Sequence, residues 1–476
     1  MEVSTIQDAA RRALAVNERL AEHALYTGER RPTHPDSNAS WRVSPDPFWI
    51  SAEERAWYER LGTHLAEFYA ACNLLYSHSV RGLQPEWAAE LLDQGKDETV
   101  VKYGRMNRFK SRLPLVIRPD VLPTPNGYAI AELDSIPGGI GFTAFLNEIY
   151  SETHANVVGG EDGVVKAMAD ALRSAAKKEN PTAAIAVSDE SNDYRPEMEW
   201  LAPKLTEQGV QTRTVHPREL RYEDQVGVCL ENERGGRTPV DILYRFFELF
   251  DLAAIPKADL LLYAARRNET PMTPPPKAYL EEKLLFALFH HPALQPFWTR
   301  ELSDEALLNL QSLLPKTWVL DPSPLPPHAV VHSLVHNGLP VQDFRELGGA
   351  TQKQREYVVK PSGFSPSAWG SRGVVVGHDL SAEDWRAALE HALSQFSTTP
   401  HILQPYHKGS RFQVPYYDFE AKEIRTMDGR ARLTPYYFMA DGKARLGGIQ
   451  ATVCPSNKKK LHGMVDAAIA PCAVRE

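Results

Sequence analysis

The stretch LVIRPDVLPTPNGYAIAELDSIPGGIG, from Leu115 to Gly141, decides how the rest of the chain is read. It reads as two short strands, LVIRPDVL and YAIAELD, joined by a Pro/Asn/Gly turn at Pro123 to Gly127. Successive side chains on a strand point to opposite faces, so Arg118 shares a face with Asp120, and Glu132 with Asp134. Pairing of the strands around that turn brings all four side chains to one patch. Three carboxylates around one point repel unless something positive sits between them. Hard oxygen ligands of this kind suit Mg²⁺ carried in with nucleotide phosphates, and the neighbouring arginine suits a transferring phosphoryl group. The strand then breaks into Pro137-Gly138-Gly139, where backbone or ligand approaches closely. A β-hairpin with a solvated acidic face and a glycine turn is the alternative, and only the rest of the chain separates the two.

With 476 residues the chain has length for a large core and two to four domains. A net charge of −8, with no like-charge block longer than Lys458-Lys459-Lys460, argues against a nucleic-acid or membrane surface and for an enzyme of small molecules. Cys72, Cys229, Cys454 and Cys472 are scattered and form no CxxC pair, which excludes a zinc cluster and a dense disulfide scaffold. The N-terminus lacks an apolar leader, and no apolar run reaches eighteen residues, so a cytoplasmic location is expected.

Residues 1–110 read as a mostly helical region. IQDAARRALAVNERLAEHALY and AEERAWYERLGTHLAEFYAACNLLYSHS have helical periodicity, with an irregular connection between Arg30 and Asp46. Cys72 with His64 and His78 reads as a buried helix thiol rather than a catalytic one. Residues 111–150 hold the hairpin and the start of a helix, FTAFLNEIYSE. Residues 151–270 read as a small α/β unit: the helix DGVVKAMADALRSAAKK, the strand AAIAVS, the helix EMEWLAPKLTEQ ended by Gly209, and the strand QTRTVH. Ligands of such a unit sit at the C-terminal strand ends, here at Ser188, Asp189 and Glu190. VDILYRFFELFDL, at 240–252, reads as the next strand; its Arg245 needs a carboxylate partner, either a neighbour's or a substrate's. Residues 271–476 open on PMTPPP, a linker. They continue with the helix AYLEEKLLFALFHH carrying Lys283, a second helix LSDEALLNLQSLLP, and the strand-loop-strand REYVVKPSGFSPSAWGSRGVVVG. The helix SAEDWRAALEHALSQF, the strand pair HILQPYHKGSRFQVPYYDF and a hairpin turning at Asp441-Gly442 follow, then a final helical stretch, KKKLHGMVDAAIA, at 458–470.

A lysine near a helix start, a lysine closing a strand before a Gly/Ser loop, and a hinge strand of the ILQPY type are nucleotide-binding devices. With the acidic hairpin they resemble the ATP-grasp superfamily. The hairpin precedes Lys283 and Lys360, an order similar to that of the circularly permuted branch, and the chain most resembles the synthetase domain of glutathionylspermidine synthase. The residues that carry the resemblance are Arg118-Pro119-Asp120, with Glu132 twelve residues beyond Asp120, and Glu282-Lys283-Leu284-Leu285. Tyr357-Val358-Val359-Lys360-Pro361 running on through Gly370-Ser371-Arg372-Gly373, the aromatic LYRFFELFDL, and His401-Ile402-Leu403-Gln404-Pro405-Tyr406 complete the set. Asp134 stands where that family has asparagine, the loop after Lys360 has fewer glycines, and about 110 residues expected to be helical stand before the hairpin where that family has an amidase domain.

The resemblance implies a mixed α+β and α/β chain with a circularly permuted ATP-grasp fold, a small α/β substrate domain and a helical N-terminal region. It implies ATP and two Mg²⁺ ions as cofactors, with Asp120, Glu132 and Asp134 as metal ligands. Lys283 and Lys360 would hold phosphates, Gln404 and Tyr406 would lie at adenine, and Ser362 to Gly373, including Gly363, Gly370 and Ser371, would form the lid. Arg118 and Arg372 would act on the transferring phosphoryl group, and Arg245, Ser188, Asp189 and Glu190 would bind substrate. The activity implied is ligation of a small-molecule or peptide carboxylate to an amine through an acyl phosphate, with a degenerate nucleotide-binding scaffold or sensor as the alternative and carboxylate or hydroxyl phosphorylation as a third.

Overall fold

A computed structural model of the chain describes residues 3–23, 25, 42–232, 235–461 and 466–475, with the backbone alone at 3–5 and 369–371. The expected connection at 30–46 and the end of the first helix lie largely outside those residues.

The fold is mixed α/β and built on several sheets. Val116–Thr124 and Gly127–Asp134 pair as an antiparallel hairpin at one edge of a large sheet. The long strand Glu423–Ala440 lies beside Val116–Thr124, followed by Lys443–Pro455 and Ala468–Val474. Asp441 and Gly442 have φ of 49° and 76° and close the hairpin expected there. One face is covered by the helix Ala52–Ser79, whose start is fixed by a reciprocal cap between Ser51 and Glu54. Tyr437 on the sheet donates its hydroxyl to the Tyr58 carbonyl of that helix at 2.6 Å, deep in the largest apolar cluster.

The α/β unit forms a second sheet, Met272–Thr273, Ile242–Phe246, Thr182–Val187 and Gln211–Val215, with all neighbours parallel. A third, antiparallel sheet runs Trp318–Val319, His401–Pro405, Tyr357–Pro361 and Val375–Val376. The helix Ala382–Ser394 packs on it through Trp385 and Leu389.

Four expectations are corrected. The end of the 458–470 stretch is not helical: Ala468–Val474 is a buried strand, antiparallel to Lys443–Pro455 and parallel to Arg42–Val43 and Phe48–Ile50. A strand covered on both faces is apolar at every position and shows no period that tells it from a helix. PMTPPP is not a linker, because Met272–Thr273 is an edge strand of the parallel sheet and residues 272–280 are buried. The 278–291 helix is a 3₁₀ turn at Ala278–Leu280 and an α-helix at Leu284–His290, with Lys283 at the N-cap between them. The 240–252 strand stops at Phe246 and turns at Leu249–Asp251.

Candidate active site

The hairpin pairs Arg118 with Asp134 and Asp120 with Glu132 across its strands, so the four charged side chains share one patch. Just past the Asp120–Glu132 pair the register slips, with Val121 opposite Ile130, leaving Ala131 as the extra residue of a β-bulge. Its carbonyl is thereby free of the ladder and accepts a hydrogen bond from Lys360 Nζ at 3.0 Å. Lys283 Nζ lies 2.6 Å from Glu132 Oε1. Two lysines more than 140 residues from the hairpin thus land on one of its strands (283 − 132 = 151; 360 − 131 = 229).

The positive charge among the acids is the chain's own. Arg118 Nη2 is 3.1 Å from Asp134 Oδ2, and its Nε is 3.5 Å from Asp120 Oδ1. Arg432, on the neighbouring Glu423–Ala440 strand, donates from Nη1 to Asp120 Oδ2 at 3.0 Å. Asp134 Oδ1 accepts the Ile136 N–H at 2.9 Å, so both oxygens of Asp134 are engaged. Burial alone would raise the Asp120 pKa, but Arg432 and Arg118 outweigh it and hold it below the usual carboxylate range. Asp134 moves the other way, raised by burial more than Arg118 lowers it. Lys283 is buried, which favours the neutral amine, yet Glu132 holds its pKa above the ordinary value. Burial dominates at Lys360 and brings its pKa down to about 8, with Glu132 opposing and Lys283 adding to the drop.

The donor set fits a divalent ion at two acids rather than three. Among the described residues no three acidic, histidine or cysteine side chains sit where one ion would meet them all. Asp120 Oδ1 is buried and has no hydrogen-bond partner, and Glu132 meets Lys283 through Oε1 alone. Those two cross-strand neighbours supply hard oxygens on one face, enough for an ion that keeps waters and takes phosphate oxygens as its other ligands.

The Gly138-Gly139 turn is held from three sides. Arg118 Nη1 and the Tyr436 hydroxyl both donate to the Gly138 carbonyl, at 3.2 and 2.8 Å. A Cβ on Gly138 would meet the Tyr194 ring at 2.1 Å, and Gly139 has φ of +87°. Glu197 caps the following helix, Ile140–Ser151, by accepting the N–H groups of Gly139 at 2.7 Å and Phe142 at 2.9 Å. Burial nevertheless pushes the Glu197 carboxyl up to about 7.

The loop after Lys360 starts in tight contact. Ser362 Oγ is buried without a partner. A Cβ on Gly363 would lie 1.6 Å from the Glu281 carbonyl. Phe364 meets the Phe250 ring edge-on, with centroids 6.3 Å apart, and lies 5.2 Å from Lys96 Nζ. Lys96 forms a buried ion pair with Glu282, the residue before Lys283. A 3₁₀ turn, Pro366–Ser371, carries Gly370 and Ser371, whose side-chain surroundings lie outside the described residues; Arg372 is exposed, and Gly373 donates to the Ser367 carbonyl at 2.8 Å. Gln404 turns inward and donates to Thr317 Oγ1 at 2.9 Å; Tyr406 lies against His378, and Arg430 donates to its hydroxyl at 3.5 Å.

The expected substrate residues lie at neighbouring strands: Ser188, Asp189 and Glu190 follow Thr182–Val187, and Arg245 stands opposite Ala186. Arg245 is fully buried, ion-paired with Glu281, and donates to the carbonyls of Phe247 at 2.6 Å and Pro274 at 3.3 Å. Asp189 is exposed and paired with Arg218 at 2.7 Å, Glu190 is exposed, and Ser188 Oγ is buried without a partner. Sequence reasoning missed Arg430 and Arg432. Their two-residue spacing on a strand is the same signal that singled out Arg118 and Asp120. It missed Lys96 and Glu197 as well, which no local pattern marks.

No known protein family matches the chain, and no curated protein matches it. Among solved structures it is similar to a glutathione synthetase like-effector from Globodera pallida, with a TM-score of 0.58 and 12% identity over 98% of this chain and 97% of that one. A gamma-glutamylcysteine synthetase candidate from Methylobacillus flagellatus matches at a TM-score of 0.40 and 13% identity, over 82% of this chain and 87% of that one. Over nearly its whole length, then, the chain has the fold of a glutathione-synthetase-like protein.

Proposed function

We propose that the chain is an ATP-dependent ligase of the ATP-grasp type, joining a carboxylate to an amine. The observation that carries the reading is the arrival of Lys283 and Lys360 at Glu132 and Ala131, beside Arg118 and Arg432. Four cations around three acids suit a phosphate site better than a solvated hairpin face. The fold shared with a glutathione synthetase like-effector supports the same class, and the order of hairpin before lysines supports the permuted branch.

In this reading the nucleotide lies between the hairpin and the Tyr357–Pro361 and His401–Pro405 strands, with its phosphates on Lys283, Lys360 and Arg118. Asp120 and Glu132 would hold Mg²⁺, which would supply charge neutralisation on the phosphates. Asp134, with both oxygens engaged, aims Arg118. A substrate carboxylate oxygen attacks the γ-phosphorus and ADP leaves; the amine then attacks the acyl carbon and phosphate leaves. The loop from Ser362 to Gly373 keeps water from the acyl phosphate.

Thermal unfolding with Mg²⁺ and a non-hydrolysable ATP analogue tests the site. Ligand at about a hundred times Kd stabilises a fold by roughly 2.7 kcal/mol, an effect expected in the wild type and weakened in Glu132→Gln. ADP release with a panel of acids and amines then tests the activity, and hydroxylamine traps a released acyl phosphate. A nucleotide-dependent shift with no ADP from any pair moves the chain to the scaffold or sensor reading, which the engagement of both Asp134 oxygens favours.

A further inference from the structure

Arg118 and Arg432 flank the acids of the proposed phosphate site, and Arg430 lies two residues along the strand at Tyr406; the buried Nε–H of each lacks a hydrogen bond, that of Arg118 lying 3.5 Å from Asp120 Oδ1. A buried donor left unfilled costs free energy, and native structures rarely tolerate it unless something else completes it. At the same place the unfilled acceptors are few. Asp120 Oδ1 faces Arg118 Nε at 3.5 Å, Asp120 Oδ2 is taken by Arg432, and both oxygens of Asp134 are taken by Arg118 and the Ile136 N–H, which leaves Glu132 Oε2. Donors in excess of acceptors describe a site completed by an anion. Phosphate offers oxygen acceptors in a geometry that matches the guanidinium fork.

Arg430 and Arg432 belong together. They lie two apart on the Glu423–Ala440 strand, on the face opposite Ala431 and Leu433, which are buried in the main core. Arg430 reaches toward Tyr406 on the hinge side, and Arg432 reaches Asp120 on the hairpin side. The pair therefore spans the distance from the expected adenine end to the expected γ-phosphate end.

We propose, on the basis of the ATP reading above, that Arg430 and Arg432 bind the nucleotide's phosphate chain directly. Arg432 is a built-in cation at Asp120 that stands in for a second divalent ion. The site then takes one Mg²⁺ per nucleotide. A second ion needs bridging carboxylate oxygens at about 4 Å from the first. Each Asp134 oxygen already holds a donor, one of them a guanidinium, and Asp120 shares its charge with two guanidinium groups.

Counting bound Mn²⁺ by electron paramagnetic resonance, on the wild type saturated with a non-hydrolysable ATP analogue, needs no variant. One Mn²⁺ per bound nucleotide is expected, and two overturn the proposal while leaving the ATP reading intact. Absence of any analogue binding by the wild type overturns both. Arg432→Met is expected to weaken the analogue roughly tenfold to a hundredfold, the scale of a lost charge-assisted hydrogen bond, with Arg432→Lys recovering part of the loss. Removing Arg432 leaves Asp120 buried and under-compensated, so Arg430→Met, which strips a much weaker contact, serves where that variant fails to fold. Unchanged affinity in folded Arg430→Met overturns the direct contact.

Discussion

Lys360 carries a pH dependence whose sign follows from its surroundings. Its ammonium ion gives up its proton at about 8 in the folded chain, well below the ordinary 10.5, because burial disfavours the charge. Between those values the unfolded chain binds the extra proton, so this residue's contribution to stability rises with pH through that window. Phosphate binding needs the protonated form, and the two effects therefore oppose each other. Affinity for the ATP analogue should fall by up to about tenfold per pH unit above 8, and Lys360→Arg, charged throughout, should flatten the profile. Titrations from pH 7 to 9.5 decide it; a flat wild-type curve removes Lys360 from the phosphates. Glu197 has the opposite linkage. Burial raises its folded pKa from 4.5 to about 7, so the folded chain holds the proton longer and stability falls as pH rises across that window. Urea unfolding at pH 5 and 7.5 should show the wild type losing ground to Glu197→Gln at the higher pH, although the amide leaves one of the Gly139 or Phe142 N–H groups unpaired. A wild type that gains on the variant would contradict the buried-acid account.

The hairpin was the most legible element, because two-residue spacing on short strands around an Asn-Gly turn fixes which side chains share a face. The bulge at Ala131 was not legible, since a slipped register leaves no mark in composition, yet that slip is what frees a carbonyl for Lys360. Arg432 was missed for a related reason: its partner Asp120 is 312 residues away, and only the sheet order brings them together. The base of the loop after Lys360, the proposed lid, is another contact between distant elements. Gly363 sits where a Cβ would fall 1.6 Å from the Glu281 carbonyl, which is backbone and cannot swing aside. Gly363→Ala therefore has to push the lid base away from the Glu281-Glu282-Lys283 segment. The overpacking scale is about 1–3 kcal/mol, and because Lys283 lies at the end of that segment, analogue affinity should drop together with the melting temperature. Loss of stability with unchanged affinity would mean that the lid base and Lys283 move independently.

At the scale of the whole molecule, the last described strand ties the ends of the chain into the sheet that bears the site. Ala468–Val474 fills the gap between Lys443–Pro455 and the N-terminal strands Arg42–Val43 and Phe48–Ile50, and Ile469, Ala470, Cys472 and Ala473 are all buried. The sequence offered only a continuous apolar run there, equally readable as helix. Removing residues 467–476 would strip the ladder from one edge of Lys443–Pro455 and leave both N-terminal strands without a partner. It would also open the apolar cluster where Ile469 and Ala473 meet Leu146, Ile149 and Tyr150 of the helix that Glu197 caps. An unpaired edge flanked by exposed apolar surface is an aggregation site, so the truncated chain should be insoluble or lack a cooperative thermal transition. The site lies on the far side of the same sheet, with Glu423–Ala440 as the shared wall: Arg430 pairs in register with Cys454 and Arg432 with Thr452. A milder change, Cys472→Asp, puts an uncompensated charge in the core beside Phe48 and near Tyr128, at the turn end of the hairpin rather than at its charged residues, and should lower the melting temperature. If that variant still unfolds as one cooperative step and loses nucleotide affinity only as it unfolds, the sheet is a single cooperative unit and the phosphate site inherits its stability from strands at both ends of the chain.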